Sequence, residues 1–197
     1  APVSLYARTK INCEKALLGM AGTTFSPCIF RLGTVFGVSP RPRFDLVVNT
    51  LTAKGVTEGA IGIFGGDQWR PHIHVDDVAR AIECALDAPL SDIGNKVFNV
   101  AGENLTINQI GELVAEALPH VDINYQTVQQ DIRNYRVSSR KIRDALGFEA
   151  NKTVAFGIRE IAEAIHSGVV ADYSDTRYHN YRTFEAKRPS GADCPRS

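Results

Sequence analysis

Short apolar runs alternate along this chain with longer segments whose apolar residues recur at helical spacing. The runs at residues 28–32 and 96–100 have the length and the branched or aromatic content of buried strands. Residues 4–20 and 153–166 instead place apolar side chains every three or four positions. Because strands that alternate with helices are typical of one architecture, the alternation predicts an α/β fold.

Turn and cap residues divide the chain into predicted elements. The predicted strands are residues 28–32, 61–64, 73–75, 96–100 and 121–125. The predicted helices are residues 4–20, residues 46–53 opened by Asp45, a helix capped by Asp76 or Asp77 and ended by Pro89, residues 106–118 capped by Thr106, residues 141–146 capped by Ser138 or Ser139, and residues 153–166 capped by Thr153. Residues 33–44 are predicted to form a loop, and residues 185–197 a disordered tail.

The composition excludes several classes of protein. The chain has 197 residues and is 44% hydrophobic, which is too apolar for a disordered protein. No stretch approaches the ~18 consecutive apolar residues of a membrane span. The 22 basic and 22 acidic side chains cancel, so we expect no nucleic-acid partner and no anionic membrane. The four cysteines are widely spaced, which predicts reduced, mostly buried thiols in a cytoplasmic protein and no metal site.

Tyr6 and Lys10 form the spacing Y-x-x-x-K inside the first predicted helix. Residues four apart are neighbours on one face of a helix, so a phenol would lie beside an ammonium. The positive charge favours the phenolate form, which can take a proton from a hydroxyl group. The alternative interpretation is an exposed pair of side chains that only stabilises the helix, by about 0.3 kcal/mol.

The surroundings of this pair distinguish the two interpretations. The segments SLYARTK, CIFRLGTVFG, SPRPRFDLVVN and GIFGGDQWRPHIHVDDVARAI follow one another in this order. In this combination the chain resembles the extended short-chain dehydrogenase/reductase family, and within it the NAD-dependent sugar-nucleotide epimerases and dehydratases. The late segments DIRNYRVSSRKIRDALGF and DYSDTRYHNY are similar to the substrate-domain end of the same family, so the resemblance covers residues 3 to 184.

The resemblance implies catalytic and cofactor-binding roles for residues near the start of the chain. Tyr6 would be the general base and acid, and Lys10 would hold the nicotinamide ribose and favour the phenolate. Leu32 and Gly33 would lie beside the cofactor, which is NAD, with NADP as an alternative. Thr34 stands at a position where many members of the family have asparagine. Its hydroxyl would contact the substrate, but it offers fewer hydrogen-bond donors than an asparagine amide.

The resemblance also implies contacts to a nucleotide-sugar substrate. Asp45 and Asn49 would line the nucleotide pocket, with an N-cap and a solvated helix residue as the plain alternatives. Arg70 would grip the diphosphate, because a guanidinium fork matches phosphate oxygens. Arg133 and Arg136 are candidates for a second phosphate or ribose contact.

Other polar or aromatic residues near these positions have structural or ambiguous interpretations. We interpret His74 as a framework residue and expect Trp69 to pack. Arg41 and Arg43 would reach an anionic substrate or remain on the loop surface.

The spacing G-x-x-G-x-x-G at Gly59, Gly62 and Gly65 matches the dinucleotide signature of the family, but its context does not. A pyrophosphate site needs a strand before the glycines and a helix after them, and TAKGVTE and GDQWRPH supply neither. We therefore expect turns here. The chain would be the C-terminal part of a Rossmann-like parallel sheet with a smaller α/β substrate-binding domain, divided into residues 1–35, residues 36–184 and the tail. The part ahead of it would be on the order of a hundred residues, and the chain alone would not bind NAD.

The expected function is an NAD(P)-dependent epimerase or dehydratase that oxidises a nucleotide-activated sugar to a keto-sugar. A carbonyl reductase of the same family acting on another substrate, a catalytically silent binding protein and a standalone structural domain remain alternatives. Arg70 argues against the reductase, since its substrates carry no diphosphate. In this family the helix that carries the tyrosine often forms a dimer interface, and Ile11, Leu17 and Leu18 permit a homodimer here.

Overall fold

The structure is a computed structural model that describes residues 4–126 and 134–186. Its strands are β1 (Cys28–Leu32), β2 (Thr34–Phe36), β3 (Ala60–Phe64), β4 (Trp69–His74), β5 (Lys96–Val100), β6 (Asn104–Thr106) and β7 (Asp122–Gln126). Its α-helices are α1 (Leu5–Gly19), α2 (Val47–Glu58), α3 (Val75–Asp87), α4 (Leu90–Ile93), α5 (Ile107–Ala117), α6 (Arg140–Leu146), α7 (Val154–His166) and α8 (Asn180–Ala186), and a 3-10 turn spans Thr176–Tyr178.

Most strand pairs are parallel, which confirms the predicted α/β class. Strand β1 pairs with β5, β2 with β4, and β3 with β7, all in parallel register. Strand β6 lies antiparallel to the start of β4, an arrangement that the alternation of elements did not predict. Parallel neighbours require a helical crossover, and the helices between these strands provide it.

Two apolar cores lie on the two sides of β4. The first core is built by residues of β3, α2, α5 and α7, including Ile61, Val48 and Ile158. The second core joins Ile73 of β4 to Phe98 of β5 and to residues of α3 and α6. Side chains of a strand alternate between its two faces. His72 and His74, which flank Ile73, therefore point to the other side of β4, where their imidazole rings contact Phe36 of the first core.

Several predicted boundaries are confirmed by their caps. Strands β1 and β5 coincide with the predicted residues. Thr106 caps α5 through a capping box with Gln109, and Thr153 caps α7 by accepting the N–H of Phe156 at 3.1 Å. Helix α6 ends at Gly147, whose φ of 64° is the left-handed conformation that glycine adopts without strain.

Two predicted caps are wrong, because the carboxylates bind elsewhere. Helix α2 begins after Leu46, and Asp45 instead accepts two hydrogen bonds from Arg43. Helix α3 begins after His74, whose Nδ1 accepts the N–H of Asp76. Asp77 is fully buried and accepts backbone N–H groups of residues 151 and 152.

The predicted loop at residues 33–44 contains β2, and helix α2 extends to Glu58, beyond the predicted end. Strand β4 begins at Trp69, four residues earlier than predicted. Short elements without a strong periodic signal were missed, namely β6, α4 and α8. Cys13, predicted to be mostly buried, is exposed on α1. In the ranges that the structure describes, no helix is long and apolar enough to span a membrane.

Candidate functional site

Tyr6 and Lys10 lie on one face of α1 near its N-terminus. Ser4 starts the helix by accepting the N–H of Ala7 at 3.1 Å. The Lys10 ammonium lies 5.6 Å from the centroid of the Tyr6 ring, so the two groups do interact as the spacing predicts. Tyr6 is 72% exposed, and α1 has no buried residue at all. The phenol is therefore accessible to a ligand.

An ion pair between α1 and β1 indicates where Tyr6 lies relative to the sheet. Glu14 accepts hydrogen bonds from Arg31 at 2.8 and 2.5 Å. A helix of an α/β fold runs antiparallel to the parallel strand beside it, so we expect moving back along α1 to correspond to moving forward along β1. Tyr6 precedes Glu14 by eight residues, which is about 12 Å along the helix axis. Tyr6 is therefore expected to lie toward the carboxyl end of β1.

The residues at that end of β1 are those predicted to lie beside the cofactor and the sugar. Leu32 is 45% exposed. Gly33 joins β1 to β2 and donates its N–H to the carbonyl of Val100 at 2.9 Å. A Cβ at Gly33 would lie 3.1 Å from the carbonyl oxygen of Pro71, so glycine allows this close approach of two strands. Thr34 follows in β2, paired with His72 of β4.

His72 of β4 is buried, and its side chain has no exposed surface. Among residues 4–126 and 134–186, neither of its ring nitrogens has a hydrogen-bond partner. Burial, together with the positive charge of Arg70, lowers the pKa of His72 to about 4. The imidazole is therefore neutral at physiological pH, and sequence analysis did not single it out.

Arg70 and Arg136 meet at Trp69, at the start of β4. The Arg136 guanidinium lies over the indole ring, 4.7 Å from its centroid, so Trp69 packs as predicted, with a cation as its neighbour. The Arg70 side chain donates to the Trp69 carbonyl at 3.0 Å and to the Gln68 amide oxygen at 2.7 Å. Two residues that are 66 positions apart are thus brought to one point of the fold.

Side-chain hydrogen bonds hold the segment that carries Arg136. The Asn134 side chain accepts the N–H of Trp69 at 3.1 Å. The Asn104 side chain accepts the N–H of Val137 at 2.8 Å and donates to its carbonyl at 3.0 Å. These contacts dock the segment against β4 and β6. Arg133, the other predicted candidate, lies outside the described residues.

Asn49 is placed differently from its prediction. It is 1% exposed, accepts the N–H of Gly37 at 3.1 Å and donates to the same residue's carbonyl at 3.4 Å. Both ends of the amide are thereby used inside the protein, so this geometry offers no direct contact to a nucleotide. Asn49 fixes the start of the loop that follows β2.

Asp45 lies at the other end of that loop and is bound there from two sides. Its carboxylate accepts two hydrogen bonds from Arg43 and the N–H of Asn180 at 3.2 Å. Burial alone would raise the pKa of Asp45, but the Arg43 guanidinium and the backbone N–H outweigh burial and lower it. The Asn180 side chain also accepts a hydrogen bond from Arg41 at 2.9 Å, so both loop arginines bind within the protein.

His74 has the framework role that its position predicted. Its Nδ1 accepts the N–H of Asp76, and its Nε2 lies 2.9 Å from Glu160 of α7. The ring therefore carries its hydrogen on Nε2, donated to the carboxylate. Glu160 also accepts the N–H of Val38 at 2.8 Å and so joins α7 to β4 and to the loop after β2. A single glutamate in an amphipathic helix carries no sequence signal for this contact.

The glycines with the dinucleotide spacing form turns and a strand, which confirms the sequence interpretation. Gly59 ends α2 with a φ of 65°, Gly62 lies in β3, and Gly65 begins a turn that leads into β4. No helix follows them, so no helix N-terminus faces a pyrophosphate here. Within residues 4–126 and 134–186, no group of three or more histidine, cysteine or acidic residues is placed to bind a metal.

Comparison with known proteins agrees with this arrangement. The model of the NAD dependent epimerase/dehydratase family matches residues 1–101, just over half of the chain. A UDP-glucose 4-epimerase from Thermotoga maritima, solved with UDP-glucose, is 26% identical with a TM-score of 0.74, over 86% of this chain and 55% of that one. MoeE5, solved with UDP-glucose and NAD, is 28% identical with a TM-score of 0.71, over 86% and 57%.

The same fold occurs in RMD from Pseudomonas aeruginosa, solved with NADPH, at 21% identity and a TM-score of 0.73, over 85% of this chain and 58% of that one. The chain thus spans just over half the length of these solved structures. The family model, the parallel α/β fold and the exposed tyrosine–lysine pair agree with one another. The chain belongs to the NAD-dependent epimerase/dehydratase family.

Proposed function

We propose that this chain supplies the catalytic pair and the diphosphate-binding residues of an NAD(P)-dependent epimerase or dehydratase that acts on a nucleotide-activated sugar. The observation that carries the proposal is the Lys10 ammonium 5.6 Å from the Tyr6 ring, on an exposed face of the helix that the Glu14–Arg31 ion pair joins to β1. In this proposal residues 1–35 end a dinucleotide-binding domain, and residues 36–184 bind mainly the substrate. A preceding segment supplies the rest of the dinucleotide-binding domain.

Tyr6 performs the proton transfer. The Lys10 ammonium stabilises the negative charge of the Tyr6 phenolate. The phenolate then takes the proton of a sugar hydroxyl. Bound NAD+ supplies the hydride acceptor for the hydrogen on the same carbon, so that the alcohol becomes a ketone. Tyr6 returns the proton when the carbonyl is reduced again, which completes an epimerisation. Loss of water from the keto-sugar is the dehydratase variant.

The residues near Tyr6 fit the nicotinamide end of the cofactor. An exposed ammonium and a phenol hydroxyl are suitable donors for ribose hydroxyls. Leu32 and Gly33 present an apolar side chain and bare backbone at the carboxyl end of β1, toward which Tyr6 is expected to lie. The glycines at 59, 62 and 65 form no pyrophosphate site. We therefore expect this chain alone to show no NAD binding by calorimetry, and micromolar affinity would contradict the proposed division between the chain and a preceding segment.

Arg70 and Arg136 bind the substrate diphosphate in this proposal. Both guanidinium groups contact Trp69, which limits their motion, and guanidinium is the side-chain group that best matches phosphate oxygens. UDP-glucose is present in two of the similar solved structures. Thr34 contributes a hydroxyl near the sugar. Asn49 acts indirectly by holding Gly37, whereas Asp45 lies at the far end of the same loop.

The exposed apolar residues of α1 suit a second copy of the chain. Leu5 is 74% exposed, Ile11 41% and Leu17 40%, which is unfavourable for an isolated helix surface. A homodimer through α1 would cover them. Sedimentation equilibrium measures the association, and a Leu17→Glu variant is expected to weaken it.

Replacement of Tyr6 by phenylalanine in the longer protein tests the proposed chemistry. The variant keeps the ring and loses the proton-transferring hydroxyl, so we expect turnover to fall by about 100-fold or more with KM nearly unchanged. Tyr125→Phe is a matched control, because Tyr125 is also exposed but lies on β7. Turnover is followed as conversion of the nucleotide sugar by chromatography, because the cofactor is recycled and no NADH accumulates. Near-normal turnover of Tyr6→Phe would remove Tyr6 from the mechanism.

Arg70→Lys tests the diphosphate contact separately. Lysine keeps the charge and loses the planar fork, so the loss of one charge-assisted hydrogen bond is expected to raise KM by about 10-fold or more with a smaller change in kcat. Arg140→Lys is the control, since Arg140 lies on α6 and pairs with Asp144. Equal KM values for the Arg70 variant and the parent would contradict a role for Arg70 in substrate binding.

A further inference from the structure

Helix α1 carries the proposed catalytic pair but contributes no buried residue to either core. Within the described part of the chain, the ion pair between Glu14 and Arg31 joins α1 to β1 through their side chains. Through this contact β1 can orient the face of α1 that carries Tyr6 and Lys10.

The geometry of this ion pair restrains rotation as well as distance. Two parallel hydrogen bonds, from Nε at 2.8 Å and from Nη2 at 2.5 Å, engage both carboxylate oxygens of Glu14. A bidentate pair defines the relative orientation of its two groups, which a single point contact does not. The hydrogen bond from Arg31 lowers the pKa of Glu14 despite the opposing effect of burial, so both partners stay charged over the physiological range.

Glu14 lies on the same side of α1 as the proposed catalytic pair. Tyr6, Lys10 and Glu14 follow at intervals of four residues, and each interval rotates the side chain by only about 40°. Holding Glu14 against β1 therefore turns Tyr6 and Lys10 toward the carboxyl end of the same strand. A shift of α1 by one residue would rotate the face by about 100° and move the phenol away from Gly33 and Thr34.

We propose that Glu14 and Arg31 form a positioning pair that sets the rotation of α1 and thereby places Tyr6 and Lys10 at the carboxyl end of β1. The functional part of this inference rests on the proposed function. Neither residue touches the substrate, and both act through the helix. Removal of the pair loosens α1 and lowers the fraction of molecules in which the phenol faces the reacting hydroxyl.

Variants at Arg31 separate this role from a charge effect on α1. Arg31→Gln breaks the pair without changing any charge on the helix that carries Lys10, and Arg31→Lys keeps the charge but loses the fork. Glu14→Gln removes the other partner, and the double variant closes a mutant cycle. Lys15→Gln is the matched control, since it changes a charge on the neighbouring exposed residue of α1.

Amide hydrogen exchange of residues 5–19 is measured first, on the chain itself, with the thermal midpoint as a check of global folding. We expect exchange in α1 to become up to about five-fold faster in Arg31→Gln and Glu14→Gln, the range of a well-formed surface pair, with the midpoint and the control unchanged. Arg31→Lys is expected to be intermediate, and the double variant no faster than either single variant. Unchanged exchange in α1, or effects that simply add in the double variant, would overturn the positioning role.

Turnover of the longer protein gives the second measurement. We expect kcat of Arg31→Gln to fall by on the order of ten-fold while KM stays within about two-fold, because the catalytic face is misplaced and the diphosphate site is intact. Partial recovery in Arg31→Lys supports the same conclusion. Faster exchange of α1 with unchanged kcat would overturn the link to catalysis. If the parent protein has no turnover, the proposed function fails, and the exchange experiment still decides whether the pair positions α1.

Discussion

Replacement of His72 by leucine tests whether a buried, unpartnered imidazole controls the acid stability of this chain. His72 lies in β4 with no exposed surface, and neither ring nitrogen finds a hydrogen-bond partner in the part of the chain that the structure describes. Burial, aided by the charge of Arg70, lowers its pKa from 6.5 to about 4. Protonation is therefore easier in the unfolded chain than in the folded one.

The sign and size of the effect follow from this difference. Above pH 6.5 the imidazole is neutral in both states, and the full stability is present. Between pH 6.5 and 4 the unfolded chain binds a proton that the folded chain refuses, so stability falls as pH falls. The difference between the pKa of 6.5 in the unfolded chain and about 4 in the folded chain corresponds to about 3 kcal/mol, with a slope of at most about 1.4 kcal/mol per pH unit. Carboxylates add to the loss only at lower pH, near their own ordinary values.

Urea unfolding followed by circular dichroism between pH 4.5 and 7 measures this slope. We expect the parent chain to lose about 2 to 3 kcal/mol over the window and His72→Leu to lose much less. At pH 7 the variant is expected to be as stable as the parent, because leucine replaces two unsatisfied buried nitrogens. His166→Gln is the control, since His166 is exposed at the end of α7. A parent curve that is flat, or a variant that keeps the slope, would refute the assignment to His72.

Three further perturbations test the framework around the site. Gly37→Ala would place a Cβ 2.4 Å from Nε2 of His74 at a φ of 105°, so urea unfolding is expected to show a loss of about 3 kcal/mol. Gly59→Ala has a φ of 65° and no close neighbour, so the same measurement is expected to show only about 1 kcal/mol; equal losses would contradict the role of the clash. Asp77→Asn removes a fully buried charge that accepts hydrogen bonds from the Arg80 guanidinium and from two backbone N–H groups. The free energy of unfolding is expected to fall by about 3 kcal/mol in this variant. The control Asp76→Asn changes an exposed carboxylate and is expected to lose under about 1 kcal/mol. A cost for Asp77→Asn no larger than for its neighbour would contradict the burial argument.

Elements that depend on local interactions could be predicted from the sequence. The capping box of α5 joins residues three apart, and the Tyr6–Lys10 contact joins residues four apart, so both follow from helix geometry alone. Strand β5 follows from an apolar run between turn residues. Strand β6 was missed because three residues, Asn104–Thr106, contain no alternation to detect.

The predicted cap at Asp45 and the solvated alternative for Asn49 are wrong for a different reason, since only the fold decides which partners these residues find. Asp45 has a strong cap preference, yet Arg43 and the backbone of Asn180 compete for its carboxylate, and that second partner is 135 residues away. Asn49 would be solvated on an isolated helix, but the packing of α2 buries it against the backbone of Gly37. A polar residue near a site is therefore ambiguous until the packing of its helix face is known.

The sequence predicts the chemistry of this site, but it does not predict how the catalytic residues are oriented relative to the strands. The tyrosine and the lysine are neighbours by virtue of one helical turn, so the sequence suffices to propose what they do. Their place beside the strands is proposed to depend on the ion pair of Glu14 with Arg31. The loop after β2 is held by Glu160, which accepts the N–H of Val38 from 122 residues away. Contacts of this separation form only once the sheet has assembled. Substitutions at these distant partners should therefore change the geometry of the site while the pattern that identifies it stays intact.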